Sequence, residues 1–143
     1  MAHTDHRFGA DIALLARTWR AELDRRLSHL GLSQARWLVL LHLARQSEPP
    51  TQSELAQMIG VECPTLARLL DGLEAQQLVR RVTVAEDRRA KRIELLAGTE
   101  ELIAQIEAIA SELRGEVLVD IDQQELEVCQ RVLGQMQANL ERR

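Results

Sequence analysis

Apolar side chains return every three or four positions near the start of the chain, at Ile12, Leu15, Trp19, Leu23, Leu27 and Leu30. That period predicts one stripe of a long amphipathic helix. Arg17, Arg20, Glu22, Asp24, Arg25 and Arg26 fall on its other faces, and Gly31 ends it. Ser33 is a good N-cap for a second helix. That helix holds Trp37-Leu38-Val39-Leu40-Leu41-His42-Leu43-Ala44, apolar almost all round, so it must pack on several sides. Pro49-Pro50 stops it and predicts a short extended link. Thr51-Gln52-Ser53-Glu54 reads as a capping box opening a short helix with Leu55, Ala56 and Ile59 inward, closed by Gly60. Pro64 is tolerated in a first helical turn, where its missing N–H has no partner to lose. Behind it Leu66, Leu69, Leu70 and Leu73 line one face. Two short helices joined by a glycine-containing turn predict a helix-turn-helix.

After Leu78 the period changes. Val79, Val82 and Val84, then Ile93 and Leu95, predict two antiparallel strands over about 79–84 and 91–96, joined by a charged turn at Ala85–Ala90. A helix-turn-helix followed by such a hairpin is a winged helix. From Thr99 a helical pattern resumes through Leu102, Ile103, Ile106, Ile109, Ala110, Leu113 and Val117. Asp122-Gln123-Gln124-Glu125 reads as another capping box. Leu126, Cys129, Leu133, Met136 and Leu140 then repeat like coiled-coil a and d positions, with Cys129 as packing. The terminal stripes exceed what a small central lobe can cover, which points to a symmetric dimer rather than an intramolecular bundle. The expected fold is mainly α with a small β-hairpin: a winged helix-turn-helix dimerised through long N- and C-terminal helices. Residues 1–143 form one domain, with 10–31 and 99–143 as dimerisation helices and 33–97 as the winged-helix lobe.

Composition narrows the class. With 143 residues, 45% hydrophobic and 28% charged, the chain can build a core and is not a disordered one. Aromatics are only 2%, so the core is aliphatic, which suits helices. No apolar run approaches the ~18 residues of a membrane span, and no signal peptide is readable, so no membrane partner and a cytoplasmic location are expected. Two cysteines make no disulfide framework. The net charge of −4 argues at first against nucleic acid, but its distribution reverses that. Residues 80–92 carry six basic side chains against two acidic ones, whereas residues 97–143 carry four against ten. Positive charge is thus concentrated on the hairpin.

These residues suit DNA. Thr65 and Arg68 lie on the front of the helix whose leucines hold its back, near the end that enters a major groove. Arginine is the commonest reader of guanine, and Thr65 can meet a phosphate or a thymine methyl. Asp87 beside Arg88 and Arg89 can hold a guanidinium at the hairpin tip, aimed at a narrow minor groove. The plainer alternatives are a solvated helix arginine and an ordinary charged turn.

At Gln52-Ser53-Glu54-Leu55-Ala56, Pro64–Glu74, Leu78-Val79-Arg80-Arg81 and Asp87-Arg88-Arg89-Ala90-Lys91-Arg92 the chain resembles the MarR family of bacterial transcription regulators, its SlyA-like branch in particular. Arg17-Thr18-Trp19-Arg20 and Leu32-Ser33-Gln34 before Trp37 share the likeness, which covers nearly the whole chain. It implies a homodimer binding a double-stranded, pseudo-palindromic operator. In it Arg68 serves the major groove with Pro64 and Thr65 beside it, and Arg89 serves the minor groove steadied by Asp87; Arg88 and Lys91 complete the wing. A glycine commonly precedes the Leu-Val of such chains, where Gln77 stands here. The resemblance also implies a small aromatic acid effector, for which Arg17, Arg20, Arg36 and Trp37 are candidates, against Trp37 as core. Cys63, at the start of the recognition helix, is a candidate redox switch, since oxidation would add bulk and charge at the DNA surface. No second cysteine is near it, and without a first-helix cysteine or any tyrosine the chain departs from the peroxide-sensing branch. An enzyme fails on inventory. His3 and His6 are expected in a loose tail, His29 and His42 have no ligand or nucleophile at useful spacing, and no Gly-rich phosphate loop, HExxH or CxxC is present. A winged helix that binds only protein has no need of so basic a wing.

Overall fold

The computed structural model describes residues 6–32 and 35–143. Ser33, Gln34 and His3 lie outside the described residues, and so does the predicted cap at Ser33. Helix α1 runs Arg7–Leu27 and closes through a 3-10 turn, Ser28–Leu30. Then come α2 (Arg36–Ala44), α3 (Gln52–Ile59), α4 (Cys63–Ala75), β1 (Val79–Val84), β2 (Asp87–Leu95), α5 (Glu100–Val117) and α6 (Gln123–Glu141). The chain is mainly helical with one two-stranded antiparallel sheet, the winged helix-turn-helix that the pattern predicts. It divides into two compact units, Met1–Ser111 and Glu112–Arg143.

In the first unit the core is aliphatic. Leu27, Leu32, Val39, Leu40, Leu55, Leu66, Leu70, Leu73 and Ile93 are fully buried. Trp37 joins them, and its indole N–H donates to the Asp24 carboxylate on α1, so the polar edge of a buried ring is satisfied. Gly31 and Gly60 end their helices at φ 73 and 83, the left-handed conformation that costs glycine nothing. The capping box at Thr51 is closed in both directions: Glu54 N–H donates to Thr51 Oγ1 at 3.1 Å, and Thr51 N–H donates to Glu54 Oε1 at 2.8 Å. Thr51 also bridges to Arg92, and Ile93 N–H donates to Pro50 at 2.9 Å, so the Pro-Pro link lies as a third rung against β2.

The left-handed position after α4 belongs to Gln77 (φ 62), where the resemblance leads to the expectation of glycine. Its N–H donates to the Glu74 carbonyl, and the Leu78 N–H reaches back to Leu73 at 3.0 Å, so the turn closes as a glycine would close it.

Two expectations need correction. β2 begins at Asp87 rather than 91, and the turn is only Ala85-Glu86. Arg88, Arg89 and Ala90 are extra residues between the pairs Thr83↔Lys91 and Val84↔Asp87, so the predicted turn is a bulged strand. The second capping box is not made: Asp122 caps α6 without a side-chain hydrogen bond. Asp122 and Glu125 are both exposed, so water can serve those N–H groups. Cys129 is exposed in the single chain, along with Val128, Val132, Leu133 and Leu140 of the same helix. No helix among the described residues is long and apolar enough to cross a membrane.

Candidate nucleic-acid interface

Helix α4 has two faces with opposite tasks. Leu66, Leu70 and Leu73 are fully buried, and Leu69 is half-buried. Each fully buried leucine is worth about 2 kcal/mol, which outweighs the ~1 kcal/mol that Gly72 costs a helix interior. The helix is therefore held from behind and its front can remain polar. Cys63, Pro64 and Arg68 are exposed there, and Thr65 is half-buried. Arg68 makes no ion pair or hydrogen bond among the described residues. The N-terminus of α4 also differs from that of α3: Glu62 caps it without a side-chain hydrogen bond, and its first turn holds no acid. Its first N–H groups thus lack a capping side-chain acceptor, while the Glu62 carboxylate sits at the positive end of the dipole.

The wing is anchored to α4 by one arginine. Arg81 on β1 donates through Nη2 to the Ala67 carbonyl at 2.9 Å and to Asp71 Oδ1 at 2.8 Å, and its Nη1 lies 3.4 Å from Glu74. Its side chain is only 23% exposed. Arg80 pairs with Glu94 across the strands at 2.8 Å. Arg92 donates to the Pro49 carbonyl at 2.8 Å, and Lys91 Nζ donates to Thr83 Oγ1 at 2.9 Å. Much of the basic run is therefore spent on the wing itself.

The tip is different. Arg89 is 95% exposed, and its Nε lies 3.7 Å from Asp87 Oδ1. The hydrogen bond that Asp87 does accept comes from the Arg89 backbone N–H, at 3.0 Å. Asp87 thus shapes the bulged backbone and only attracts the guanidinium, which is left free to reach outward. Arg89, Ala90 and Lys91 share a cleft of about 360 Å³ with Thr51, Gln52, Ser53 and Cys63. One concave surface therefore joins the wing, the N-terminus of α3 and the start of α4. Arg81 is the structural residue that sequence reasoning missed; Asp71 and Glu74, spaced on one face of α4, were the available signal.

Of the four candidates for an effector site, Arg17 and Arg20 are exposed on α1. Trp37 is buried, and Arg36 donates to Gln76 Oε1 at 3.1 Å. His42 is half-buried and titrates below its ordinary range, through burial first and then the charges of Arg45 and Arg20. The described residues hold no cluster of three or more His, Cys, Asp or Glu able to bind a metal.

Known proteins share this fold. The MarR family model matches residues 30–90. A crystal structure of the transcriptional regulator PA3341 is 66% identical, with a TM-score of 0.89, over 95% of this chain and 99% of that one. A MarR protein from Peptoclostridium difficile is 17% identical with a TM-score of 0.88, covering 99% of this chain and 92% of its own. MepR of S. aureus, solved as a DNA complex, is 22% identical with a TM-score of 0.82, covering 94% and 99%. These two show a common fold. Given the family match across the winged helix and a 66% identical regulator spanning nearly the whole chain, this protein belongs to the MarR family of transcriptional regulators.

Proposed function

We propose that the chain binds a pseudo-palindromic operator as a homodimer, placing α4 in the major groove and the wing tip in the adjacent minor groove. One observation carries this: Arg68 and Arg89 are exposed cations on α4 and the wing, while Arg80, Arg81, Lys91 and Arg92 have protein partners. Arg68 would read a base edge, with Pro64 and Thr65 against the strand beside it. Arg89 would enter the minor groove on the backbone that Asp87 shapes, flanked by Arg88 and Lys91. The cleft shared by Gln52, Ser53 and Lys91 fits a passing phosphate.

Residues 10–31 and 99–143 would form the dimer interface, and 33–97 the DNA-binding lobe. Exposed Phe8, Ile12, Leu14 and Leu15 on α1 support an apolar surface for a second copy on the first unit, and Leu133 and Leu140 on α6 support one on the second. Such a regulator acts in the cytoplasm, and DNA binding, rather than catalysis, is its task. For an aromatic acid effector, Arg17 and Arg20 remain for the carboxylate, whereas Trp37 has no ring face to offer. A second reading is thiol regulation, supported by the exposed Cys63 in the cleft with Arg89 and Lys91. Modification there would fill the space a phosphate needs.

Selection of bound duplexes from random DNA tests the proposal. Wild type should enrich two half-sites about one helical turn (~34 Å) apart. Arg68→Ala should lose preference at one base position per half-site, a loss of about 1–3 kcal/mol. Enrichment of no sequence would instead favour a protein-binding winged helix. Repeating the selection with salicylate and with peroxide examines the effector and the thiol.

A further inference from the structure

Gly72 sits in the middle of α4, where alanine would be preferred. Its reason is a close approach. A Cβ at Gly72 would collide with Nη2 of Arg36 and lie 2.5 Å from its Cζ and 2.8 Å from its Nε. The Arg36 guanidinium, from the first turn of α2, therefore lies directly against the backbone of α4 at Gly72. There it donates through Nη1 to Gln76 Oε1 at 3.1 Å. The Gln76 amide in turn donates to the Gly31 carbonyl at 3.1 Å, at the end of the 3-10 turn that closes α1. Gly31, Arg36, Gly72 and Gln76 thus form one connected set joining the end of α1, the start of α2 and the last turn of α4.

We infer that Arg36 and Gln76 are positioning residues for DNA recognition, a latch that fixes the C-terminal turn of α4 and thereby the aim of Arg68. The inference rests on the proposal that α4 reads the major groove. Arg68 lies eight residues before Gln76, about 12 Å along the helix axis. A tilt of about 5° at the latch would move Arg68 by about 1 Å, enough to degrade a base-edge hydrogen bond. The Arg81 contacts to Ala67, Asp71 and Glu74 hold the helix from the wing, so the latch and the wing grip it through different residues. Neither latch residue needs to touch DNA.

The test uses the full-length protein, the duplex recovered by selection, and the variants Gly72→Ala, Arg36→Ala, Gln76→Ala and the double variant Arg36→Ala/Gly72→Ala. Gly72→Ala removes no charge and displaces only the flexible end of Arg36, so the protein should fold and melt near the wild-type temperature. Each single variant should weaken operator binding about threefold to tenfold. The slope of log affinity against log salt should stay parallel to wild type, because every phosphate keeps its partner. The double variant should be no worse than Arg36→Ala, since the added methyl then meets no guanidinium. Arg68→Ala is run alongside. If Arg68→Ala loses site preference while Gly72→Ala and Gln76→Ala bind like wild type, the latch is wrong and the recognition helix stands. A flatter salt slope for Arg36→Ala would make it a phosphate-binding residue and overturn the inference, as would losses that multiply in the double variant. If Arg68→Ala also binds like wild type, the recognition-helix assignment fails and the latch falls with it.

Discussion

The base and the tip of the wing carry the same residue type for opposite purposes. At the base, Arg81 is largely buried against Ala67, Asp71 and Glu74, and its charge is matched by carboxylates on α4. At the tip, Arg89 is almost wholly exposed and, among the described residues, pairs with Asp87 alone, at 3.7 Å. One holds the wing to the reading helix, and the other is presented by it. The contrast teaches that a basic run is not a uniform nucleic-acid surface. Only the arginines without a committed partner can exchange solvent for phosphate or base, because the others would first have to break the contacts that position the element.

The largest expected effect is at the base. Arg81→Ala leaves Asp71 and Glu74 facing each other's charge and an open carbonyl at Ala67, which should cost about 2 kcal/mol of stability. It should also weaken operator binding by loosening the wing; thermal melting and a binding titration check both. At the tip, Arg89→Ala should leave the melting temperature unchanged and weaken binding about tenfold, with the salt slope shallower by about 0.9 for each phosphate it no longer neutralises. Filter binding across a salt series reads it. Gln77→Gly should stabilise the protein by about 1 kcal/mol, because glycine takes the left-handed conformation that glutamine must be held in. Denaturant unfolding measures that.

The smallest effect concerns the capping box that meets β2 at Arg92. Hydrogen bonds from the Thr51 backbone and side chain hold the Glu54 carboxyl below its ordinary range. A depressed carboxyl contributes stability above its unfolded pKa and loses it as pH falls through the folded value. The melting difference between wild type and Glu54→Ala should therefore be full at neutral pH and shrink below the usual carboxylate range. Glu22, held down to about 2 by Arg25 and then Arg26, should keep its pairing to lower pH, losing it between about 4.5 and 2.

What the sequence revealed was mostly local. Gly31, Gly60 and the Thr51–Glu54 box mark helix ends through interactions that span four residues or fewer, so pattern suffices. The α4 leucines also announce themselves, because burial imposes a period. Partners that lie far along the chain leave no such mark. Arg81 and Asp71 are ten residues apart on different elements, and Arg36 and Gln76 forty apart, so a basic run and a candidate effector residue concealed two structural braces. Asp122-x-x-Glu125 shows the converse error: the letters of a capping box are present, but on an exposed helix start water competes for the same N–H groups. The bulge at Arg88–Ala90 was equally hidden, since strand register depends on the pairing partner and not on one strand's composition.

The most direct measurement compares the salt dependence of operator binding for wild type, Arg89→Ala and Arg81→Ala on the same duplex. If the tip touches DNA and the base braces it, the Arg89→Ala line is shallower than wild type, and the Arg81→Ala line is displaced but parallel. A parallel line for Arg89→Ala together with a shallower one for Arg81→Ala would contradict this division of roles.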